Sequence, residues 1–176
     1  LLSTSQVDIQ CFSTCSGSAT VNMLGGGAPP YSIQWNDPLA QTTFTAFNLC
    51  AGTWTAVVTD QNLCDTIIPF TITEPLELLV SINSSTSSCF GACSGTASVL
   101  ASGGTGLLTY QWYNATTNTP IAGQTAANIL NLCQGSYYCI VTDANGCSVQ
   151  SSTVVITELP QITTSIVSIT DATCGV

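Results

Sequence analysis

Residues 11–21 read CFSTCSGSATV and residues 89–99 read CFGACSGTASV, and this repeated Cys-rich phrase constrains the fold more than any other feature. Three more pairs follow in the same order: GGGAPPYSIQW (25–35) with SGGTGLLTYQW (102–112), FNLCAGTWTAVVTDQNLC (47–64) with LNLCQGSYYCIVTDANGC (130–147), and FTITEP (70–75) with VVITELP (154–160). Self-similarity at a period of about 75 to 85 residues marks a tandem array in which each copy is one structural unit. The expected units are residues 1–75 and 76–160, with 161–176 opening a third copy as far as Cys174. Without an initial Met or a basic leader ahead of LLSTSQVDIQC, the chain is expected to be an internal piece of a longer one.

Within a unit, short alternating runs are broken by Gly, Pro and Asn-Gly turns, the pattern of antiparallel strands at sandwich spacing. In the second copy the runs are 76–82, 95–101, 108–114, 128–132, 136–143 and 149–158, and no stretch sustains a helical period. Two-fold alternation puts Tyr137, Cys139 and Val141 on one face, matched by Trp54, Ala56 and Val58. That face is the expected core, anchored by Trp35, Trp54, Trp112 and Tyr137. Burying each ring is worth roughly 2 to 3 kcal/mol, and each indole N–H or phenol O–H then needs a backbone acceptor. A Trp or Tyr just after a Gly turn resembles the tyrosine corner of sandwich domains.

A unit this small needs fastening beyond its core. Ten cysteines in 176 residues suit a disulfide framework in an oxidising, extracytoplasmic space. Each copy has four at equivalent places: Cys11, Cys15, Cys50 and Cys64, then Cys89, Cys93, Cys133 and Cys147. Four cysteines allow three pairings, which sequence does not decide. The expectation is Cys11 with Cys64, Cys15 with Cys50, Cys89 with Cys147 and Cys93 with Cys133, tying the first-strand region to loops at the far end of each unit. Each such bridge would contribute roughly 4 kcal/mol in the chain-entropy model. A zinc site fits poorly, because the spacings are not C-x2-C and no His is present. Cys139 stands where the first copy has Ala56 and is expected to be an inward, inert thiol.

Charge excludes several classes of function. There is no Lys, Arg or His against nine Asp and Glu, for a net charge of −9. Neutralising phosphate requires cations, so nucleic acid and anionic lipid are not expected partners. No apolar run approaches the roughly 20 residues of a membrane-spanning helix. A Ser or Cys nucleophile lacks its usual imidazole or amine base, so no enzyme is expected. The acids recur in register, Asp60 with Asp143 and Glu74 with Glu158, which favours architecture over catalysis. Asp143-Ala144-Asn145-Gly146 reads as an Asx-stabilised turn rather than a calcium loop, with the linker acids Glu74 and Glu158 the next calcium candidates. No metal or cofactor is expected.

The ordered set of CFGACSGTASV, a GG pair before YSIQW or TYQW, LCAGTW or LCQGSY, VTDANGC and TITEP resembles the SprB-type repeat of large surface adhesins of gliding, Bacteroidetes-like bacteria. VTDQNLC lacks the Gly of DANGC, and GGTGLLTY lacks the Pro-Tyr, so the copies differ in turn detail. The resemblance implies an all-β fold of tandem immunoglobulin-like β-sandwich repeats, disulfide-stapled, exported to the cell surface by the type IX route. It also implies many copies forming filaments for adhesion or gliding motility. Asp65-Thr66-Ile67 resembles the O-glycan acceptor pattern of such bacteria, which would place a glycan on Thr66.

The leading expectation is therefore a structural or adhesive segment of an extracellular filament. A sparsely charged, Thr-rich surface with poorly guarded strand edges favours homo-oligomeric fibres or packing against neighbouring repeats. The alternative is a glycan- or surface-polymer-binding module using Tyr31, Trp35 or Tyr113.

Overall fold

The computed structural model describes residues 2–165 and 167. They form two immunoglobulin-like β-sandwiches in tandem, and among the described residues there is no helix. The expected third copy at 161–176, with Cys174, lies largely outside the described residues.

In the first sandwich, strands β1 (Leu2–Val7), β2 (Gly17–Met23) and β4 (Thr45–Leu49) form one sheet in the order β1-β2-β4. Strands β3 (Ser32–Trp35), β5 (Gly52–Thr59) and β6 (Asp65–Ile72) form the other, in the order β3-β5-β6. The second sandwich repeats this with β7 (Leu79–Thr86), β8 (Gly95–Ser102) and β11 (Asn128–Leu132) in the order β11-β8-β7. Its other sheet runs β10 (Thr119–Pro120), β9 (Thr109–Asn114), β12 (Gly135–Thr142), β13 (Ser148–Gln150), with β14 (Val154–Ile156) also on β12. Every ladder within these sheets is antiparallel.

The expected single run 149–158 is split into β13 and β14. The second copy has one more residue than the first between its hairpin cysteine and its linker glutamate. An extra residue must bulge out of the ladder. Ser151 absorbs it: its buried Oγ accepts from Cys139 N at 3.0 Å and donates to Ser152 O at 2.9 Å.

Each sandwich has its own core. The first gathers Val21, Ile33, Trp35, Leu49, Ala56, Val58, Phe70 and Ile72, and the second Val99, Trp112, Ile129, Leu132, Tyr137, Cys139, Val141 and Ile156. In register, Trp35 faces Ala56 and Trp112 faces Cys139. A small side chain opposite the indole makes room for it. Trp35 Nε1 donates to Thr43 O at 2.8 Å and Trp112 Nε1 to Ala126 O at 2.9 Å. Trp54 Nε1 reaches Cys50 O at 2.9 Å and Tyr137 Oη reaches Cys133 O at 3.1 Å, so each ring ties its strand to the turn four residues back. Tyr137 is buried, whereas Trp54 is half-buried against the first core.

The register also gives each sandwich a direction. Leu2 pairs with Met23 at one end, here the upper, and Val7 pairs with Ser18 at the other, the lower. In the second copy the corresponding pairs are Leu79 with Ser102 and Thr86 with Thr96.

Candidate functional site: the joint between the repeats

At the upper end of each sandwich, one aspartate ties a hairpin to the glycine loop. Asp60 Oδ1 accepts from Asn62 N and Cys64 N, both at 2.9 Å, and its Oδ2 accepts from Ala28 N at 3.0 Å. Asp143 does the same with Asn145 N and Cys147 N at 2.9 Å and Thr105 N at 2.8 Å. Backbone bonds from Cys64 and Ala28, with a further one from Asn62, hold the Asp60 carboxyl below its ordinary range against the opposing effect of burial. Burial pushes Asp143 upward, but the amides of Thr105, Cys147, Asn145 and Gly146 outweigh it and leave that carboxyl lowered as well. These oxygens are committed to the backbone, which is why the acids recur in register.

The lower end carries the Cys-x3-Cys loops. Ser13 N donates to Glu74 Oε2 at 2.8 Å, and its counterpart Gly91 N donates to Glu158 Oε1 at 2.5 Å. The linker glutamates thus hold the Cys loops. Cys15 is bonded to Cys50 and Cys93 to Cys133, each bridge joining this loop to the turn after β4 or β11.

The remaining pairings differ from the sequence expectation. Cys11 is bonded to Cys147 of the other repeat, not to Cys64, and Cys89 is not bonded to Cys147. The cause is the length of the sandwich. Cys11 sits at the lower end of its repeat and Cys64 at the upper, separated by about six residues of strand, or about 20 Å. A bridge requires Cα atoms within about 7 Å; those of Cys11 and Cys147 are 5.6 Å apart. The lower end of the first repeat meets the upper end of the second, where Cys147 lies. Strand direction carries this signal in the sequence, since Cys11 follows the first strand while Cys64 opens the last.

The joint is reinforced by short-range bonds. Asn145 Nδ2 donates to Gln10 O at 3.0 Å, and Gly104 N donates to Leu76 O at 3.0 Å. Gly103, at φ +79°, lies so close to the linker that a Cβ there would stand 1.8 Å from Glu77 O. A cleft of about 510 Å³ at the joint is lined by Phe12, Leu76, Leu78 and Val149 with both bridged cysteines.

The other candidate residues lie apart. Thr66 is exposed on β6. Cys139 is fully buried, and burial raises its thiol to about 11. Of the ligand-ring candidates, Trp35 is buried in the core, and half-buried Tyr31 donates to Gly26 O at 2.5 Å at the upper end. Tyr113 stacks on Tyr138 with centroids 5.1 Å apart, and Tyr138 Oη bonds Asn118 Oδ1. The three candidates do not converge on one surface. Among the described residues, no three acidic or cysteine side chains group as metal ligands.

The SprB repeat family model matches residues 3–40 and 81–117, the segments holding the Cys loops and glycine loops of the two copies. No curated protein matches. Among solved structures, three N-terminal domains of the bacteriophage RB49 highly immunogenic outer capsid protein (Hoc) share 17% identity with this chain, over 89% of it and 58% of that chain, at a TM-score of 0.52. This likeness is one of fold. Dscam1 isoform 6.9, solved as its N-terminal four Ig domains, shares 14% identity over 89% of this chain and 41% of that one at a TM-score of 0.39. The chain thus spans about half the length of these structures.

Proposed function

We propose, from the premise that this chain carries two SprB repeats, that it is a structural segment of a long extracellular filament serving attachment or gliding. Disulfides and the repeat family support a module of a surface protein. The finer reading rests on one observation: the two sandwiches are joined end to end by both the linker peptide and the Cys11–Cys147 bridge. Two covalent connections restrict swivelling at the joint, which suits a shaft that transmits force. The role is mechanical rather than catalytic, since the recurrent acids are engaged by backbone amides. Export by the type IX route and lateral association between filaments belong to the same reading. Exposed Phe47, Ile67, Leu130 and Val155 on the sandwich flanks favour that association.

Immunogold electron microscopy of intact cells, with antibody raised against these repeats, tests the proposal. Label running along surface filaments, with attachment or gliding lost when the repeats are deleted, is the expected result. Label confined inside the cell, or attachment unchanged after deletion, would overturn it.

A further inference from the structure

Among the described residues, the two exposed unpaired cysteines are not scattered. Cys64 is the first-repeat counterpart of Cys147, and Cys89 the second-repeat counterpart of Cys11. The bridge already formed therefore joins a first-position cysteine to the fourth-position cysteine of the following repeat. Cys64 and Cys89 are the positions whose partners, under that rule, would come from repeats on either side.

Their surroundings repeat the halves of the joint. Around Cys64 at the upper end of the first repeat, a cleft of about 450 Å³ is lined by Leu2, Met23, Tyr31 and Asp60. Around Cys89 at the lower end of the second, a cleft of about 340 Å³ is lined by Phe90, Leu159, Pro160 and Ile162. Those residues correspond to Phe12, Pro75, Leu76 and Leu78, which line the complete joint. The difference between the two settings is large: Leu78 is 9% exposed, its counterpart Ile162 91%. Cys11 and Cys147 are half-buried where the joint is complete, and Cys64 and Cys89 are exposed where it is not.

We infer that the upper face around Cys64 and the lower face around Cys89 are docking surfaces for neighbouring repeats of the same polypeptide. In each docked joint, the first cysteine of one repeat is disulfide-bonded to the fourth cysteine of the next. Each bond forms as two thiols are oxidised to one disulfide, their two electrons and two protons passing to a disulfide oxidant, which leaves as two thiols. The filament then has a bridge within every repeat and one across every joint. This deepens the filament reading and rests on the repeats being in tandem.

The test is a disulfide map of the protein isolated from cells with its full set of repeats. Free thiols are blocked with N-ethylmaleimide, and pepsin is used for digestion because the segment offers trypsin no Lys or Arg. The inference requires Cys11 linked to Cys147, and Cys64 and Cys89 each linked to a cysteine of an adjoining repeat. Polypeptide size should be the same on reducing and non-reducing gels. A Cys11→Ser variant should add one maleimide, on Cys147, while Cys15–Cys50 persists. Cys11–Cys64 and Cys89–Cys147 pairs, alkylated Cys64 or Cys89, or bridges between separate polypeptides would each overturn it. Filament location is read independently by the gold label: a failed label leaves the map intact, whereas a map returning Cys11–Cys64 removes the doubly tied joint without changing where the label places the repeats.

Discussion

Replacing Cys93 and Cys133 together by Ser removes a bridge that closes a loop with sequence separation 40. Both residues are exposed, so almost no core packing is lost and the effect falls on the unfolded chain. Loop-closure entropy for that length is about 4 kcal/mol at 25 °C. This is a ceiling, because the enclosing Cys11–Cys147 loop already restricts the unfolded state. With an m-value of about 2 kcal/mol/M, the urea midpoint of the second repeat should fall by up to about 2 M. The second repeat contains one tryptophan, Trp112, fully buried. In a background carrying Trp35→Phe and Trp54→Phe, emission reports that repeat alone. A midpoint shift below about 0.3 M would refute the reasoning, since it would mean that closing this loop does not constrain the unfolded chain.

Further outcomes follow from the joint and the hairpins. Gly103→Ala should cost at least about 1 to 2 kcal/mol from its left-handed backbone alone. The close approach to Glu77 O adds to this, and thermal unfolding should show a lowered midpoint that Gly123→Ala, at φ +73° with open space around it, does not match. Asp60 and Asp143 titrate below their ordinary range, so their contribution is present above the unfolded carboxylate value near pH 4 and is lost as pH falls through the folded values. Urea midpoints measured from pH 6 down to pH 2 should drop over that lower range, and the drop should be smaller in Asp60→Asn and Asp143→Asn. Cys139 should resist maleimide at pH 8 in the folded protein and react on unfolding, as followed by intact mass.

Much of this architecture was legible in the residues because repetition and two-residue alternation are local signals. Runs 95–101, 108–114 and 128–132 match β8, β9 and β11 to within a residue. The run expected from 76 begins as a strand only at Leu79, because Leu76 O and Glu77 O face the glycine loop of the second repeat. The joint takes those residues from the strand. The split of β13 from β14 follows from the extra residue at Ser151, which becomes visible when the cysteine-to-glutamate spacings of the two copies are compared. What spacing alone conceals is which end of a sandwich a residue occupies. Tying the first-strand region to far-end loops made Cys11 and Cys64 look like partners within one unit, whereas the strand between them carries them to opposite ends, too far apart for a bridge. The recurrent acids were readable as architecture, but their particular backbone partners depend on loops that meet only in three dimensions.

Pulling a single chain from its two termini reads the cross-joint bridge directly. With Cys11 bonded to Cys147, only about 41 residues lie on the stretched path, so the oxidised protein should extend by no more than about 140 Å at about 3.4 Å per residue. After reduction the same molecule should reach about 600 Å. An oxidised extension of about 230 Å, the length allowed by bridges confined within each repeat, would contradict the account.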